Sequence, residues 1–472
     1  MQTIFNHGDY QDITAVLKNK DERVEIQNKL LKANPSITVV AAKLNIPGPI
    51  KNNQKIQEFF MAGLNRFENI LLTTGINFVI KDEWLDKGTG PEKFYLVDED
   101  ANKVKSITSQ FEEMKVSYRL FDLDVLINNN DGIQTLSRAD AHQPARKCLL
   151  CGRPAKECGR SRCHTVEELQ ERVSMLILTE LTIKQRKKIA AWLTQLAQRA
   201  LLYEVSAWPK PGLVDPVEHE AHSDMDVFTF INSSTSLYEY LHQAALLGIM
   251  SNSSNLPSIF EELREYGKKA EKKMFMATKN VNTHKGAVFS LGVFVTATGY
   301  SLQRTKKFDA DDIEAVIKRM LVNLLDDDFK HLKIKKKLTT GEKQYLEYGL
   351  SGIRGEAHAG YPTVFSYGLP VLLASSGNWN NRILMTFLEL AMHIEDSTLI
   401  KRAGTPTIQE WKNQEIRECL SLGGITTDVG RKKLIEIEQE FSQRNLSLGG
   451  TADLLIVTIF LGLVKEGLPD EF

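Results

Sequence analysis

The sequence has almost no net charge, no long apolar run and only five cysteines. Its 59 basic and 60 acidic side chains give a formal net charge of −1, which excludes a globally basic nucleic-acid binder. The most apolar stretch, near residues 454–464, is shorter than the ~20 residues that span a bilayer. The first residues lack the basic and apolar segments of a signal peptide. We therefore expect a cytoplasmic protein that binds neither nucleic acid nor membrane.

What the sequence does contain is the composition of a folded protein with several domains. Hydrophobic residues make up 42% and charged residues 25% of the 472 positions, which excludes a disordered chain. The length suggests two to four domains. Helical patterns dominate after a cysteine-rich segment, so we predict a mixed α/β domain over residues 1–175 and an all-helical domain over 176–472.

Strand and helix patterns alternate in the first domain. Strand patterns cover Thr38–Leu44, 94–97 and 118–127, and a helix pattern at 102–114 separates the last two. This alternation predicts a mixed sheet with crossover helices. In the second domain, apolar residues at helical spacing predict helices over 189–203, 233–247, 257–278, 310–325, 380–394, 431–442 and 452–464.

Two carboxylates, Asp122 and Asp124, lie two residues apart in the third strand pattern. Side chains at this spacing share one face of a strand, and two carboxylates on one face repel unless a cation or proton lies between them. Oxygen ligands near phosphate suit Mg²⁺, which can neutralise a leaving diphosphate. The alternative is an ordinary solvated acidic strand end. The glycine turns at residues 45–51, which end in Lys51, and at 90–92 are either phosphate-binding loops or ordinary turns.

Four of the five cysteines fall within a short segment. Cys148, Cys151, Cys158 and the nearby His164 offer four soft ligands, which suits a structural Zn²⁺ site in a reducing compartment. Cys163 competes with His164 as the fourth ligand. The alternative is a set of free or buried thiols in a loop rich in arginine and lysine.

The helical domain carries glycine-bearing loops with charged residues. The candidate site residues are Lys210 and Asp215 in one loop, Asp224 in segment 222–226, His284 and Lys285 before a glycine, and Arg354 and Glu356 near glycines. Residues 445–453 form another turn of this kind. A helical bundle builds a site where such groups converge. Carboxylates there would bind Mg²⁺, and basic groups would bind a polyphosphate. The lysine-rich segment 330–337 is interpreted as a solvated loop or helix end.

Taken together, these motifs resemble two known enzyme families in tandem. The first part resembles the apo-citrate lyase phosphoribosyl-dephospho-CoA transferase family, on residues 45–51, 90–92, 119–125, 131–132, 137–138 and 148–164. Residues 180–472 resemble the triphosphoribosyl-dephospho-CoA synthase family, on residues 210–215, 222–225, 282–286, 352–357 and 449–453. The resemblance implies a natural fusion of two enzymes that make and attach the prosthetic group of citrate lyase.

For the helical domain, the resemblance implies that the 2'-hydroxyl of 3'-dephospho-CoA attacks C1' of the ATP ribose and expels adenine. Positive charge builds on the sugar as the N-glycosidic bond breaks, so nearby carboxylates are useful. We expect Asp215, Asp224 and Glu356 to act in catalysis or Mg²⁺ binding. The expected triphosphate ligands are Lys210, His284, Lys285 and Arg354.

For the α/β domain, the resemblance implies a nucleotidyltransferase-type domain. It would transfer phosphoribosyl-dephospho-CoA to a serine of the apo acyl carrier subunit, with release of diphosphate. Asp122 and Asp124 would hold Mg²⁺, and Arg138 and Lys51 would contact phosphate. Three other interpretations stay open. The same chemistry could serve malonate decarboxylase, one domain could be a carrier-docking module without activity, or the chain could be a non-enzymatic zinc-bearing scaffold.

Overall fold

The computed structural model describes residues 3–129, 132–217, 224–329, 338 and 340–469. The chain forms two compact units, Met1–Gln185 and Arg186–Phe472. The division falls within one continuous helix, α5 (Val166–Ser206). The domain limits 1–175 and 176–472 stay a prediction. Asp131, His222 and the basic segment 330–337, which the sequence analysis names, lie outside the described residues.

The first unit is a five-stranded sheet with helices on both faces. Its strands are β1 (Thr38–Leu44), β2 (Phe78–Trp84), β3 (Glu92–Val97), β4 (Phe121–Asn129) and β5 (Gly132–Leu136), in the order β2-β3-β1-β4-β5. Its helices are α1 (Ile13–Ala33), α2 (Gln54–Thr73), α3 (Ala101–Glu113), α4 (Ala155–Arg160) and the first part of α5.

The sheet is antiparallel throughout, which corrects the expected mixed sheet. Strand β1 pairs in antiparallel register with both β3 and β4, and the β2–β3 and β4–β5 pairs are also antiparallel. Since β1 opposes both neighbours, β3 and β4 run in the same direction, and α3 joins them as a crossover. The predicted crossover helix is therefore confirmed. It connects β3 and β4, and β1 lies between these two strands in the sheet.

Alternation along each strand separates the two faces of the sheet. On β4, Phe121, Leu123 and Val125 enter the larger core with the side chains of α2 and α3. Leu126 enters a smaller core with Leu31 of α1. Burying a phenylalanine or leucine stabilises the fold by about 1.5–3 kcal/mol. The alternation therefore fixes β4 with its even-numbered residues, Asp122 and Asp124 among them, on the α1 face.

All regular secondary structure that the structure describes in the second unit is helical, as predicted. After α5 it contains α6 (Val227–Ser236), α7 (Tyr238–Met250), α8 (Leu256–Ala277), α9 (Lys285–Thr305), α10 (Ala310–Met320), α11 (Leu324–Phe329), α12 (Thr340–Tyr348), α13 (Gly352–His358), α14 (Leu369–Ala374), α15 (Trp379–His393), α16 (Ser397–Ala403), α17 (Ile408–Ser421), α18 (Asp428–Gln443) and α19 (Gly449–Gly467). No described helix is both long and apolar enough to cross a bilayer.

Helix α9 is at the centre of this unit and is missing from the sequence prediction. Nearly every residue from Ala287 to Leu302 is buried, so the helix has no polar face and no helical periodicity to detect. Helices α7, α8, α10 and α19 pack around it. A Cβ on Gly248 of α7 would stand 2.1 Å from the Thr296 carbonyl oxygen of α9. The absence of a side chain there lets the two helices approach closely.

Candidate functional sites

Asp122 and Asp124 converge on one cation. Strand register places Lys43 of β1 opposite Asp122, and the Lys43 ammonium lies 2.8 Å from Oδ2 of Asp122 and 2.5 Å from Oδ2 of Asp124. Both carboxylates therefore reach a single positive charge, as their spacing predicts. Sequence reasoning missed Lys43, although a lone lysine at the end of the otherwise apolar strand Thr38–Leu44 is a recognisable signal.

Further basic groups surround this acidic pair. Arg146 lies 3.0 Å from Oδ1 of Asp122 and 2.6 Å from Oε1 of Glu112. Burial opposes ionisation of Asp122, but the charges of Lys43 and Arg146 outweigh it and lower the pKa of this carboxyl. Burial also lowers the pKa of Lys105, whose ammonium is 3.5 Å from the Leu123 carbonyl oxygen. The acidic pair therefore lies within a set of basic groups that suits an anionic phosphate.

The two predicted glycine turns lie at the same end of the sheet as the acidic pair. In the sheet register, Lys43 of β1 lies opposite Asp122 of β4 on one side and Glu92 of β3 on the other. Residues 45–51, which follow β1, and residues 90–92, at the start of β3, therefore adjoin the end of the sheet that holds the acidic pair. Lys51 donates to the Ile46 carbonyl oxygen at 2.6 Å within its own loop. Arg138 binds Glu112 and Glu113. Arg138 is thus connected to the acidic pair through Glu112, which also binds Arg146.

The predicted soft ligands form one cluster. The ligand atoms of Cys148, Cys151, Cys158 and His164 all lie within 4.8 Å of one another. The Sγ atoms of Cys151 and Cys158 are 3.8 Å apart, close to the separation of about 3.8 Å that two thiolates have on tetrahedral zinc with Zn–S bonds of about 2.3 Å. Among the described residues, His164 Nε2 is buried and has no hydrogen-bond partner.

The surroundings of the cluster distinguish its members from Cys163. Cys163 lies 3.4 Å from an Arg153 nitrogen and 3.0 Å from Ser161 Oγ, outside the set of four. Burial opposes ionisation of Cys148, but backbone N–H groups of Cys151 and Leu150 lower the pKa of its thiol to about 6. The donor set and spacing fit zinc, and His164 rather than Cys163 belongs to the set of four in the structure.

In the helical unit, two predicted glycine loops meet. The backbone N–H of Ala287, in the first turn of α9, donates to the Asp453 carboxylate of α19. Burial and the charges of Asp396 and Glu204 raise the pKa of Asp453 well above its usual range, yet this side chain is still partly exposed. Asp396 accepts the Thr451 N–H at 2.8 Å at the start of α19. Sequence reasoning named neither Asp396 nor Glu204.

The loop after α5 contains a fully buried ion pair. Lys210 contacts both the carboxylate and the backbone carbonyl of Glu204, and both side chains are buried. Asp215, also buried, accepts the Val217 N–H at 2.9 Å. Glu204, 6 residues before Lys210, provides the charge that allows the ammonium to be buried.

His284 precedes α9 and is held by a chain of hydroxyl groups. Thr283 Oγ1 donates to Ser233 Oγ at 2.7 Å, and Ser233 Oγ is 2.7 Å from His284 Nδ1. Among the described residues, His284 Nε2 is buried without a hydrogen-bond partner. Burial, together with the charge of Lys210, lowers the pKa of His284 to about 3. His284 is therefore neutral at pH 7 and can offer one N–H rather than a positive charge.

Glu356 lies in α13, just before the tight turn that leads to Tyr361. Its carboxylate accepts the Thr363 N–H at 2.8 Å, and burial raises its pKa. Tyr361, in the same turn, has a φ of 60°, a strained conformation for a bulky residue. Burial raises the pKa of Tyr361, and the charges of Asp453 and Glu356 add to this effect. Glu356 and Asp453 therefore act on the same buried phenol.

The other predicted residues of this unit lie outside the buried group. Lys285 is half exposed and 3.1 Å from Glu271. Arg354 forms an ion pair with Asp328 and covers the Phe289 ring at 5.2 Å. Asp224 is exposed, and no contact described by the structure joins it to the buried carboxylates.

The comparisons with known proteins match both parts of the chain. Residues 11–180 match the CitX family, described as apo-citrate lyase phosphoribosyl-dephospho-CoA transferase, and residues 190–472 match the CitG family, described as ATP:dephospho-CoA triphosphoribosyl transferase.

Relatives match the whole chain or its helical part. A protein named CitXG from Leuconostoc mesenteroides is 39% identical over 98% of this chain and 99% of its own length. A CitXG protein from Haemophilus influenzae is 30% identical, with 97% of each chain covered. A probable 2-(5''-triphosphoribosyl)-3'-dephosphocoenzyme-A synthase from Lactiplantibacillus plantarum is 47% identical over 57% of this chain and 96% of its own.

Proposed function

The chain belongs to the CitXG family, and from this premise we propose how its two units divide the work of making and attaching the prosthetic group of citrate lyase. The chain is a bifunctional transferase with both family activities. The helical unit joins ATP and 3'-dephospho-CoA with release of adenine. The α/β unit transfers phosphoribosyl-dephospho-CoA to a serine of the apo acyl carrier subunit with release of diphosphate.

The shared contact of Asp122 and Asp124 with Lys43 is the observation that carries the assignment of the transfer site. Two carboxylate oxygens that reach one ammonium can also hold one Mg²⁺. When bound, Mg²⁺ would neutralise the charge of the diphosphate leaving group. Arg146 and Lys105 lie beside the pair, where they can bind the remaining phosphate charge. Lys51 lies at the same end of the sheet, and Arg138 orients Arg146 through their shared partner Glu112.

For the synthase reaction, we assign proton transfer to Asp453 and Glu356. The attacking 2'-hydroxyl must lose a proton and adenine leaves more easily when it gains one, so the site needs groups that can hold or release a proton near neutral pH. Burial raises the pKa of both carboxyl groups. His284 would donate its Nε2 hydrogen to the substrate as a neutral group. The burial of Lys210 and Asp215 favours a role in shaping their loop.

We propose that the cysteine cluster binds structural zinc. Three thiolates and one imidazole complete a tetrahedral set, which leaves no open position for substrate. Glu168 lies 3.8 Å from His164 Nδ1, where a carboxylate can orient the ring and leave Nε2 to the metal.

One assay tests the proposed function and its alternatives. Purified protein is mixed with ATP, 3'-dephospho-CoA, Mg²⁺ and the apo carrier of citrate lyase or, separately, of malonate decarboxylase. We expect adenine release by chromatography and a mass increase on the citrate lyase carrier. Adenine release without carrier modification would identify the α/β unit as a docking module. If neither adenine nor modified carrier is formed, the result would support the scaffold interpretation. Modification of only the malonate decarboxylase carrier would assign the chemistry to that enzyme.

A further inference from the structure

Helix α1 leaves an apolar face uncovered. Tyr10, Ile13, Leu17 and Val24 are 74%, 77%, 53% and 42% exposed. Steps of three, four and seven residues place them along one side of the helix and the turn before it. We call these four residues the α1 apolar face. Leu31, seven residues after Val24, continues this side of the helix and is buried, so the uncovered stretch runs from Tyr10 to Val24. Adjacent exposed apolar side chains of this kind mark interaction surfaces.

The α1 apolar face adjoins the transfer site. In the middle of α1, Asn19 and Arg23 bind Glu92, which is the strand partner of Lys43. The charge of Arg23 interacts with both Asp122 and Asp124. The exposed residues of α1 therefore flank the end of the sheet that holds the acidic pair.

The residues before α1 extend this proximity to the glycine turns. The Gln11 N–H donates to the Pro49 carbonyl oxygen at 3.0 Å, and the Gln11 side-chain amide lies against Gly88. Tyr10 and Ile13 thus stand next to the turn at residues 45–51 and the connection between β2 and β3 at residues 85–91. A short flexible segment of a protein bound at Tyr10 and Ile13 could therefore extend to Asp122 and Asp124.

Beyond its first turn, α1 carries charges that favour an acidic partner. The exposed charged residues of the helix are four lysines, namely Lys18, Lys20, Lys29 and Lys32, and two acids, Asp21 and Glu25. Asp9 and Asp12, which border Tyr10 at the start of the face, are also exposed, so the excess of lysines begins at Lys18. Glu22 is occupied by Lys87 at 2.6 Å. A surface with an apolar stripe and an excess of lysines is complementary to a helix that presents apolar residues flanked by carboxylates.

We propose that the α1 apolar face is the docking surface for the apo carrier protein. The occupant is a carrier helix with an apolar stripe bordered by acidic residues, which brings the acceptor serine to Asp122 and Asp124. This inference rests on the proposed function of the α/β unit. The carrier fits better than a second copy of this chain, because the surface is continuous with the site that the acceptor serine must reach.

The test compares the double variant Ile13→Ser, Leu17→Ser with the control variant Leu72→Ser. Leu72 is 60% exposed at the end of α2, which packs on the opposite face of the sheet. Initial rates of carrier modification are measured by mass spectrometry against carrier concentration, with the synthase product supplied. We expect the double variant to raise the KM for carrier about tenfold or more, as for loss of interface anchors. Its kcat and its adenine release should match wild type, and Leu72→Ser should leave all three unchanged.

Charge reversal gives a second measurement. Lys20→Glu should raise the KM for carrier, and the difference from wild type should shrink at high salt. An unchanged KM in both the double variant and Lys20→Glu would overturn the inference. A change in oligomeric mass with unchanged KM would assign the α1 apolar face to a second copy of the chain and reject the carrier. Absence of transfer by wild type at any carrier concentration would instead reject the proposed function.

Discussion

Gly286 and Asp453, 167 positions apart in the sequence, are in direct contact. A Cβ built on Gly286 would stand 1.8 Å from Oδ2 of Asp453, so only glycine lets this carboxylate reach the first turn of α9. Each residue ends a glycine-bearing motif that the sequence analysis marks as a candidate on its own. Their contact shows that these two motifs meet in the folded chain.

We predict that Gly286→Ala lowers the rate of adenine release about a hundredfold. The added methyl group must displace the Asp453 carboxylate, and a shift of about 1 Å in a reacting group has an effect of this size. The rate is measured by chromatography of adenine. Gly267→Ala is the matched control, because its Cβ would meet nothing closer than 3.6 Å. A Gly286→Ala enzyme with the wild-type rate would show that Asp453 has no part in the reaction.

We predict that Asp122→Asn and Asp124→Asn each reduce carrier modification about a hundredfold or more and leave adenine release unchanged. Each change removes one oxygen charge from the proposed Mg²⁺ site, and losses of this size follow when a group that stabilises developing charge is removed. Asp98→Asn is the control, because Asp98 is exposed and follows β3 at the opposite end of the sheet. Retained transfer in both variants would reject the assignment.

We predict about one zinc ion per chain, lost in Cys158→Ser and retained in Cys163→Ser. The first change removes a ligand from the four-atom cluster, and the second alters a cysteine outside that set, which contacts Arg153 and Ser161. Metal content is measured by mass spectrometry of the purified variants. Thermal unfolding should also shift to lower temperature after chelation of wild type, because a structural metal contributes to folding. Loss of zinc in Cys163→Ser would exchange the roles of Cys163 and His164.

We predict that His284 makes the helical unit less stable as the pH falls. Its pKa is about 3 in the folded state and about 6.5 when unfolded, so the unfolded chain binds the extra proton between these values. Its contribution is present above pH 6.5 and is lost as the pH falls towards 3. Between pH 7 and 5 the loss is about 2 kcal/mol.

Comparison with His284→Gln isolates this contribution, because the raised pKa of Asp453 acts in the opposite direction and is common to both proteins. Urea unfolding followed by tryptophan fluorescence gives the free energy of unfolding at each pH. The variant should show the weaker decrease in stability on acidification. Equal pH dependence in the two proteins would show that His284 is not buried in its neutral form.

Local spacing accounts for the groups of side chains that the sequence predicts to lie together and that the structure brings together. Asp122 and Asp124 share a face because strands have a period of two, and the cysteine cluster forms within one short segment. Lys43 and Arg146 escaped prediction because each belongs to a different segment from the carboxylates that it binds. Glu204 and Asp396 escaped it for the same reason, since neither stands in a glycine-bearing loop.

The sequence by itself determined the order of the two activities along the chain, the helical character of the second unit, and the ligand types at each candidate site. These depend on residue identity and on spacing over a few positions. Only the tertiary structure decided that the sheet is antiparallel, that Lys210 is buried against Glu204, and that His284 is neutral. The physical reason is that strand pairing, burial and the partner of each charge depend on contacts between distant segments, which no local pattern encodes.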